Sequence, residues 1–151
     1  MAVVDLSALP GGFALAGLDL GEKTIGVAMS DATRTVASPL ELIRKVQFTK
    51  DAAVLFALMD SRSAGGIVIG LPVNMDGTEG PRCQSVRAFA RNILRLRDLP
   101  IAFWDERMSS MAVNRMLISE ADVTRARRAE LVDKAAAAWI LQGALDRLRN
   151  P

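Results

Sequence analysis

The sequence predicts an α/β fold in which a mixed five-stranded sheet is covered by helices on both faces. Three observations lead there. Short apolar runs rich in β-branched and small residues occupy residues 14–21, 24–31 and 67–71, and segments with apolar residues at helical spacing lie between and beyond them. The order runs three strands, helix, strand, helix, strand and two helices, which is the pattern of a layered α/β domain. A chain of 151 residues has the size of one domain and is too short for two substantial lobes.

Residues 1–13 read as a flexible start and 14–150 as a single domain. ALAGLDLG forms the first strand and TIGVAMSD the second, with Gly-Glu-Lys between them as a hairpin turn. TRTVASPL supplies a third, edge-like strand closed by Pro39. The segment from Thr49 to about Ser61 is helical, with Val54, Leu55, Leu58 and Met59 turned to the core. The unbroken apolar run Ile67-Val68-Ile69-Gly70-Leu71 suits a strand buried on both faces and is the best central strand. A loop, VNMDGTEG, leads to a helix beginning near Pro81, where a missing first-turn amide costs nothing. That helix ends before Asp98-Leu99-Pro100. Ile101 to Trp104 is the fifth strand. A helix follows from about Ser110 to Ser119, with Ser109 as N-cap, and a last long helix runs from roughly Arg127 to Leu148.

Half of the residues are hydrophobic and a quarter charged, the balance of a soluble globular protein. No apolar run approaches the roughly 18 to 20 residues that span a bilayer. The N-terminal stretch lacks the basic start and long apolar middle of a secretory signal, and the single Cys83 cannot form an internal disulfide. A cytoplasmic protein without a membrane partner is expected. The chain has no histidine, which excludes a Ser-His-Asp triad, a histidine general base and histidine-ligated zinc. Any catalysis must rest on carboxylates, lysine, hydroxyls or hard metal ions. A net charge of +2 does not by itself specify a nucleic-acid partner, so the distribution of charge matters more than its sum.

Three carboxylates stand where apolar residues are expected. Asp19 lies inside a strand between Leu18 and Leu20, where a charge is costly unless neutralised or coordinated; its plainer role is hydrogen bonding to the Gly-Glu-Lys turn. Asp105 and Glu106 end the fifth strand, and alternation alone does not choose which of them faces the site. Asp133 precedes Ala137, Ile140, Leu141 and Ala144 by four, seven, eight and eleven residues, so it shares their apolar helical face and points at the sheet. The plainer role there is a first-turn acid complementing the helix dipole. The small residues 135–138 would let that helix approach the sheet closely. Acids clustered without histidine suit Mg²⁺ or Mn²⁺, which prefer oxygen ligands. Two such ions about 4 Å apart can cut a phosphodiester without a histidine base.

Four blocks in order, GLDLGEKTIGVAMSD, IVIGLPVNMDGTEGPRCQSVRAFA, WDERMSS and VDKAAAAWILQ, resemble the YqgF (RuvX) family, known as Holliday junction resolvases and as nucleases of pre-16S rRNA maturation. The resemblance spans Gly17 to Gln142. It implies an RNase H-like fold and a two-metal Mg²⁺ or Mn²⁺ nuclease whose ligands are Asp19, Glu106 and Asp133, which resolves the choice at the fifth strand in favour of Glu106. Asp105, Asn74, Ser109 and Ser110 then become supporting residues behind the ligands. Thr24 stands where the family often has arginine, and Met-Ser-Ser follows the acids where Leu-Thr-Thr is usual. The implied substrate is structured RNA, at the 5′ end of pre-16S rRNA, with branched DNA as the alternative, a ribosome or pre-ribosomal particle as partner, and a monomer or homodimer as the assembly.

Basic residues that would hold nucleic acid are Lys23 in the first turn, Arg107 beside Glu106, and two clusters. Arg87, Arg91 and Arg95 recur every four residues along one helix as a phosphate track, although a solvated face balanced by acids has the same pattern. Arg125, Arg127 and Arg128 stand just before Asp133. Asp76 reads as a residue that holds its turn through side-chain bonds to the backbone. Few aromatic residues are available for stacking, so recognition of shape and backbone is expected, with Trp104 and Trp139 in the core and Met108, Met111 and Met116 as packing. Two rival classes share parts of this pattern. An actin-like ATP-binding protein needs two lobes, which this length excludes, and a non-catalytic module binding nucleic acid, the ribosome or RNA polymerase would not need the acids.

Overall fold

The structure is a computed structural model that describes residues 3–108 and 125–150; for residue 108 and residues 125–134 it describes the backbone alone. Among the described residues five strands and three long helices appear in the order β1 (Ala14–Leu20), β2 (Thr24–Ser30), β3 (Ala37–Arg44), α1 (Phe48–Ser61), β4 (Ala64–Leu71), α2 (Pro81–Leu96), β5 (Ile101–Asp105) and α3 (Arg125–Arg149), with a 3₁₀ turn over Glu106–Met108. The helix expected over 110–119, its cap Ser109, and Ser110, Met111 and Met116 lie outside the described residues. Among the described residues no helix is long and apolar enough to cross a membrane.

The sheet order is β3-β2-β1-β4-β5. β1, β2 and β3 form an antiparallel meander, while β1–β4 and β4–β5 are parallel. The expected mixed sheet with helices on both faces is what the chain adopts. Strand alternation divides the core in two. Leu18, Ile67, Ile69 and Ile101 face α1 and α2, and Leu15, Val68 and Ala102 face Ala137, Ile140 and Leu141 of α3. β4 is buried along nearly its whole length, as its unbroken apolar run requires.

Gly17 fixes how closely α3 lies on the sheet. A Cβ there would stand 2.6 Å from Leu141 Cβ and 3.0 Å from the Ala137 carbonyl. One residue beyond Leu141, α3 is tied to β3 and the turn before it, where Gln142 accepts the Ala37 N–H at 2.9 Å and donates to the Thr35 carbonyl at 3.0 Å.

Three details differ from the sequence expectation. Pro39 does not close β3 but lies within it, opposite Ala28 where the pairing register shifts; β3 is an edge strand, where a missing N–H leaves no ladder bond unmade. The buried side of α1 is Asp51, Ala52, Leu55 and Met59, and Val54 is 46% exposed. The stripe is rotated by about one residue because Asp51 turns inward to accept the Val46 N–H at the helix entry. Trp104 packs on the second core, but Trp139 is 37% exposed on α3. Residues 3–9 lie beside β5: Val4 N–H donates to Ile101 O at 2.8 Å, and Leu9 is buried.

Asp31 holds the turn between β2 and β3. Its carboxylate accepts from Thr33 Oγ1 at 2.6 Å and from the Thr35 and Val36 amides at 2.7 and 3.1 Å. These bonds, the threonine hydroxyl first, hold the carboxyl below its ordinary value. A lowered folded value means that the stabilisation is complete above the ordinary carboxylate range and is lost as pH falls through the folded value. Wild type is therefore expected to lose its stability advantage over Asp31→Asn as urea melts are taken from neutral pH down below about pH 4. An advantage that stays constant with pH would contradict this reading of the turn.

Candidate active site

Strand order and one missing side chain put Asp19 and Glu106 on the same face, at the same end of the sheet. Asp19 lies two residues beyond Gly17 on β1 and so shares the α3 face of the sheet. Pairing of Leu18 with Ile69 and of Gly70 with Trp104 puts Gly70 of β4 between the strand of Asp19 and the end of β5. A Cβ on Gly70 would meet Glu106 Oε1 at 2.6 Å, Glu106 Cγ at 2.9 Å and Ile140 Cδ1 at 2.5 Å. The Glu106 side chain thus lies across the face of β4, towards β1, with Ile140 of α3 beside it. Both acids are half-buried. With strands about 4.8 Å apart, two acids on the outer members of a three-strand set can meet only if the middle strand offers no bulk.

Asp133 belongs to this end of the molecule by backbone position. Gln142 lies level with the start of β1, because its partner Ala37 pairs with Ser30, whose Oγ accepts the Leu15 N–H at 2.9 Å. Ala137 lies level with Gly17. The helix therefore runs against β1, and Asp133, one turn or about 6 Å before Ala137, falls towards the end of β1 that carries Asp19. Its side chain is outside the described set. Among the described residues no three acidic or thiol side chains form a cage for a metal ion. The donors at hand are carboxylates, and Cys83, a buried thiol, donates to the Pro72 carbonyl at 3.2 Å and faces the other core. This donor chemistry fits a hard divalent ion and not a soft one.

Asp105 points elsewhere. It pairs with Leu71 across the sheet and forms an ion pair with Arg107 at 2.6 Å, whose hydrogen bonds hold its carboxyl below the ordinary value. Arg107 also donates to the Met75 carbonyl at 3.3 Å and, weakly, to that of Asn74 at 3.5 Å. The two residues thereby anchor the loop after β4. Within that loop Asn74 Nδ2 donates to Thr78 Oγ1 at 3.0 Å, and Asp76 accepts from the Thr78 amide and hydroxyl, the turn-holding role expected of it. Gly77 has φ +89, a conformation that glycine adopts without strain. A cleft of about 400 Å³ opens between this loop, the start of α2 and Glu106.

The basic residues divide between the two faces. Arg107 borders the Glu106 cleft, and Lys23 is exposed in the β1–β2 turn. Arg87 pairs with Glu79 at 2.7 Å and stacks over Phe103, 5.0 Å from its centroid. It stands with exposed Arg91 and Arg95 on α2, across the sheet from Asp19 and Glu106. Arg125, Arg127 and Arg128 open α3, and their side chains are outside the described set. Two residues were not singled out from sequence. Gly70 carried a readable signal, since glycine amid β-branched strand residues marks a close approach. Arg82 carried none: it borders the Glu106 cleft and donates to the Leu20 carbonyl at 3.4 Å.

Gly70→Ala is expected to cut activity by more than tenfold while the chain remains folded, because the methyl group displaces the Glu106 carboxylate or Ile140. Steady-state cleavage rates beside circular dichroism check this. Full activity in Gly70→Ala would show that Glu106 does not work from this position.

The profile of the RuvX family, described as Holliday junction resolvase, matches residues 14–147. A protein of Phenylobacterium zucineum named "Putative pre-16S rRNA nuclease" is 78% identical, over 99% of both chains. A protein of the same name from Caulobacter vibrioides is 67% identical, again over 99% of each. Among solved structures, Thermus thermophilus RuvC in complex with a Holliday junction substrate superposes with a TM-score of 0.56 at 13% identity, covering 91% of this chain and 96% of that one. The fowlpox virus Holliday junction resolvase gives 0.51 at 10% identity, covering 91% and 99%. At these identities the two structures speak for the fold, which is RNase H-like. The chain belongs to the RuvX family of nucleases.

Proposed function

We propose that this chain is a Mg²⁺- or Mn²⁺-dependent endonuclease that trims the 5′ end of pre-16S rRNA, with Asp19, Glu106 and Asp133 as the metal-holding acids. The observation that carries the proposal is the Glu106 carboxylate lying across side-chain-free Gly70 towards the strand of Asp19. Two carboxylates on one face at one end of the sheet suit a divalent cation, which takes oxygen ligands. Divalent ions held there would activate water and stabilise the leaving oxygen, chemistry that needs no histidine. The protein's own part is to fix the carboxylates, keep Ile140 against Glu106 so that bulk water is limited, and draw the phosphate backbone in with Arg107, Arg82 and Lys23. The names of the relatives favour precursor rRNA, and our reading has the chain meet it on a pre-ribosomal particle. The family description favours a second reading, resolution of four-way DNA junctions.

The test is cleavage of pre-16S 5′ ends and of a four-way junction in Mg²⁺ and in Mn²⁺. The rRNA precursor should be cut in preference. Asp19→Asn should lose more than a hundredfold, since even residues behind metal ligands cost ten- to a hundredfold. Wild-type cleavage by folded Asp19→Asn would refute this assignment, and faster cutting of the junction would select the second reading.

A further inference from the structure

A second cleft, of about 970 Å³, opens on the α1/α2 face at the same end of the sheet as the acids. Its floor is aromatic. Phe48 and Phe89 meet edge to face with centroids 5.5 Å apart, each packed on the core by one side and bordering the cleft by another. Its rim carries two cations. Lys45 donates its ammonium to the Gly21 carbonyl and its amide to the Lys23 carbonyl at 2.9 Å, so the turns before β2 and before α1 are joined there. Arg82 is the other. Ser85 and Asn92 of α2 add neutral donors and acceptors, and among the described residues Glu22 is the one acid in the lining.

Arg82 borders this cleft and the Glu106 cleft alike. Its bond to Leu20 O places it one residue past Asp19, at the divide between the two. A strand whose phosphate lies at the acids would cross Arg82 and enter the aromatic cleft with its next residue. Cations at a rim, rings on a floor and an amide on the wall are the combination that holds one nucleotide: phosphate on Lys45 and Arg82, base on the rings, base edge at Asn92. An acidic peptide would use the cations but would leave the rings and Asn92 without purpose.

We infer that this cleft binds an unpaired nucleotide of the substrate strand next to the cut. The inference rests on the nuclease reading for the origin of the strand, though binding at the cleft can be measured without cleavage. The probe is a single-stranded RNA pentanucleotide containing 2-aminopurine, titrated into the full chain with EDTA present and read by fluorescence quenching and anisotropy. Wild type should bind and quench. Phe48→Leu should weaken binding about tenfold, as loss of one stacked base does, and remove the quenching. Lys45→Met, a surface change that does not touch the core, should weaken binding and lower the salt dependence by about one ion. Wild-type binding by both variants, or absence of binding by wild type, would overturn the inference, as would preference for an acidic peptide of equal charge. If cleavage assays fail while this binding pattern holds, the cleft stands and the nuclease assignment falls.

Discussion

The close approach of α3 to the sheet is the constraint on which the rest depends. Helix and sheet can meet at Gly17 because neither a Cβ there nor bulk at Ala137 intervenes, and the same economy at Gly70 leaves the space that Glu106 crosses. Both glycines lie on one face of neighbouring parallel strands. Glycine in a strand interior weakens it through added chain entropy and lost packing. The fold accepts that cost twice on β1 and β4, and the space gained is taken up by α3 at Gly17 and by Glu106 and Ile140 at Gly70.

Topology does the remainder. With β1 and β4 parallel and β5 parallel to β4, all three strands end on the same side, which is where open α/β sheets bind their ligands. Asp19 approaches from β1 and Glu106 from the turn after β5, and α3, running against β1, carries Asp133 back to that end. Three segments distant in sequence thus reach one end of the sheet without any of them leaving regular structure or its immediate terminus. The loop after β4 lies beside them, held by its own Asn74, Asp76 and Thr78 bonds and tied to the end of β5 by Arg107. The loop that borders the cleft is therefore braced to the strand that leads into Glu106.

The strands, the long helices and their order were legible because apolar periodicity survives in each of them. Asp19 and Asp133 were legible as acids on otherwise apolar faces. Glu106 was not separable from Asp105 by alternation, since the strand ends at Asp105 and a 3₁₀ turn begins at Glu106; the choice came from family resemblance. The contact across Gly70 involves residues 36 apart in sequence, beyond the reach of any local pattern. Pro39 misled because the edge strand expected there tolerates a proline within it, so the residue did not mark the strand's end. The aromatic cleft was missed for a similar reason: Phe48 and Phe89 are ordinary core residues in their own helices, and only the packing of α1 against α2 sets them side by side at an opening.

The central claim is that the three acids act together as ligands of a divalent ion. Calorimetric titration of Mn²⁺ into the folded chain tests it most directly, with Asp19→Asn, Glu106→Gln and Asp133→Asn beside wild type and Asp105→Asn as the control that faces the other way. The account predicts saturable binding by wild type, loss of most of that affinity in each of the three variants, and affinity within a few-fold of wild type in the control. Unchanged binding in all three, or a loss confined to Asp105→Asn, would contradict it.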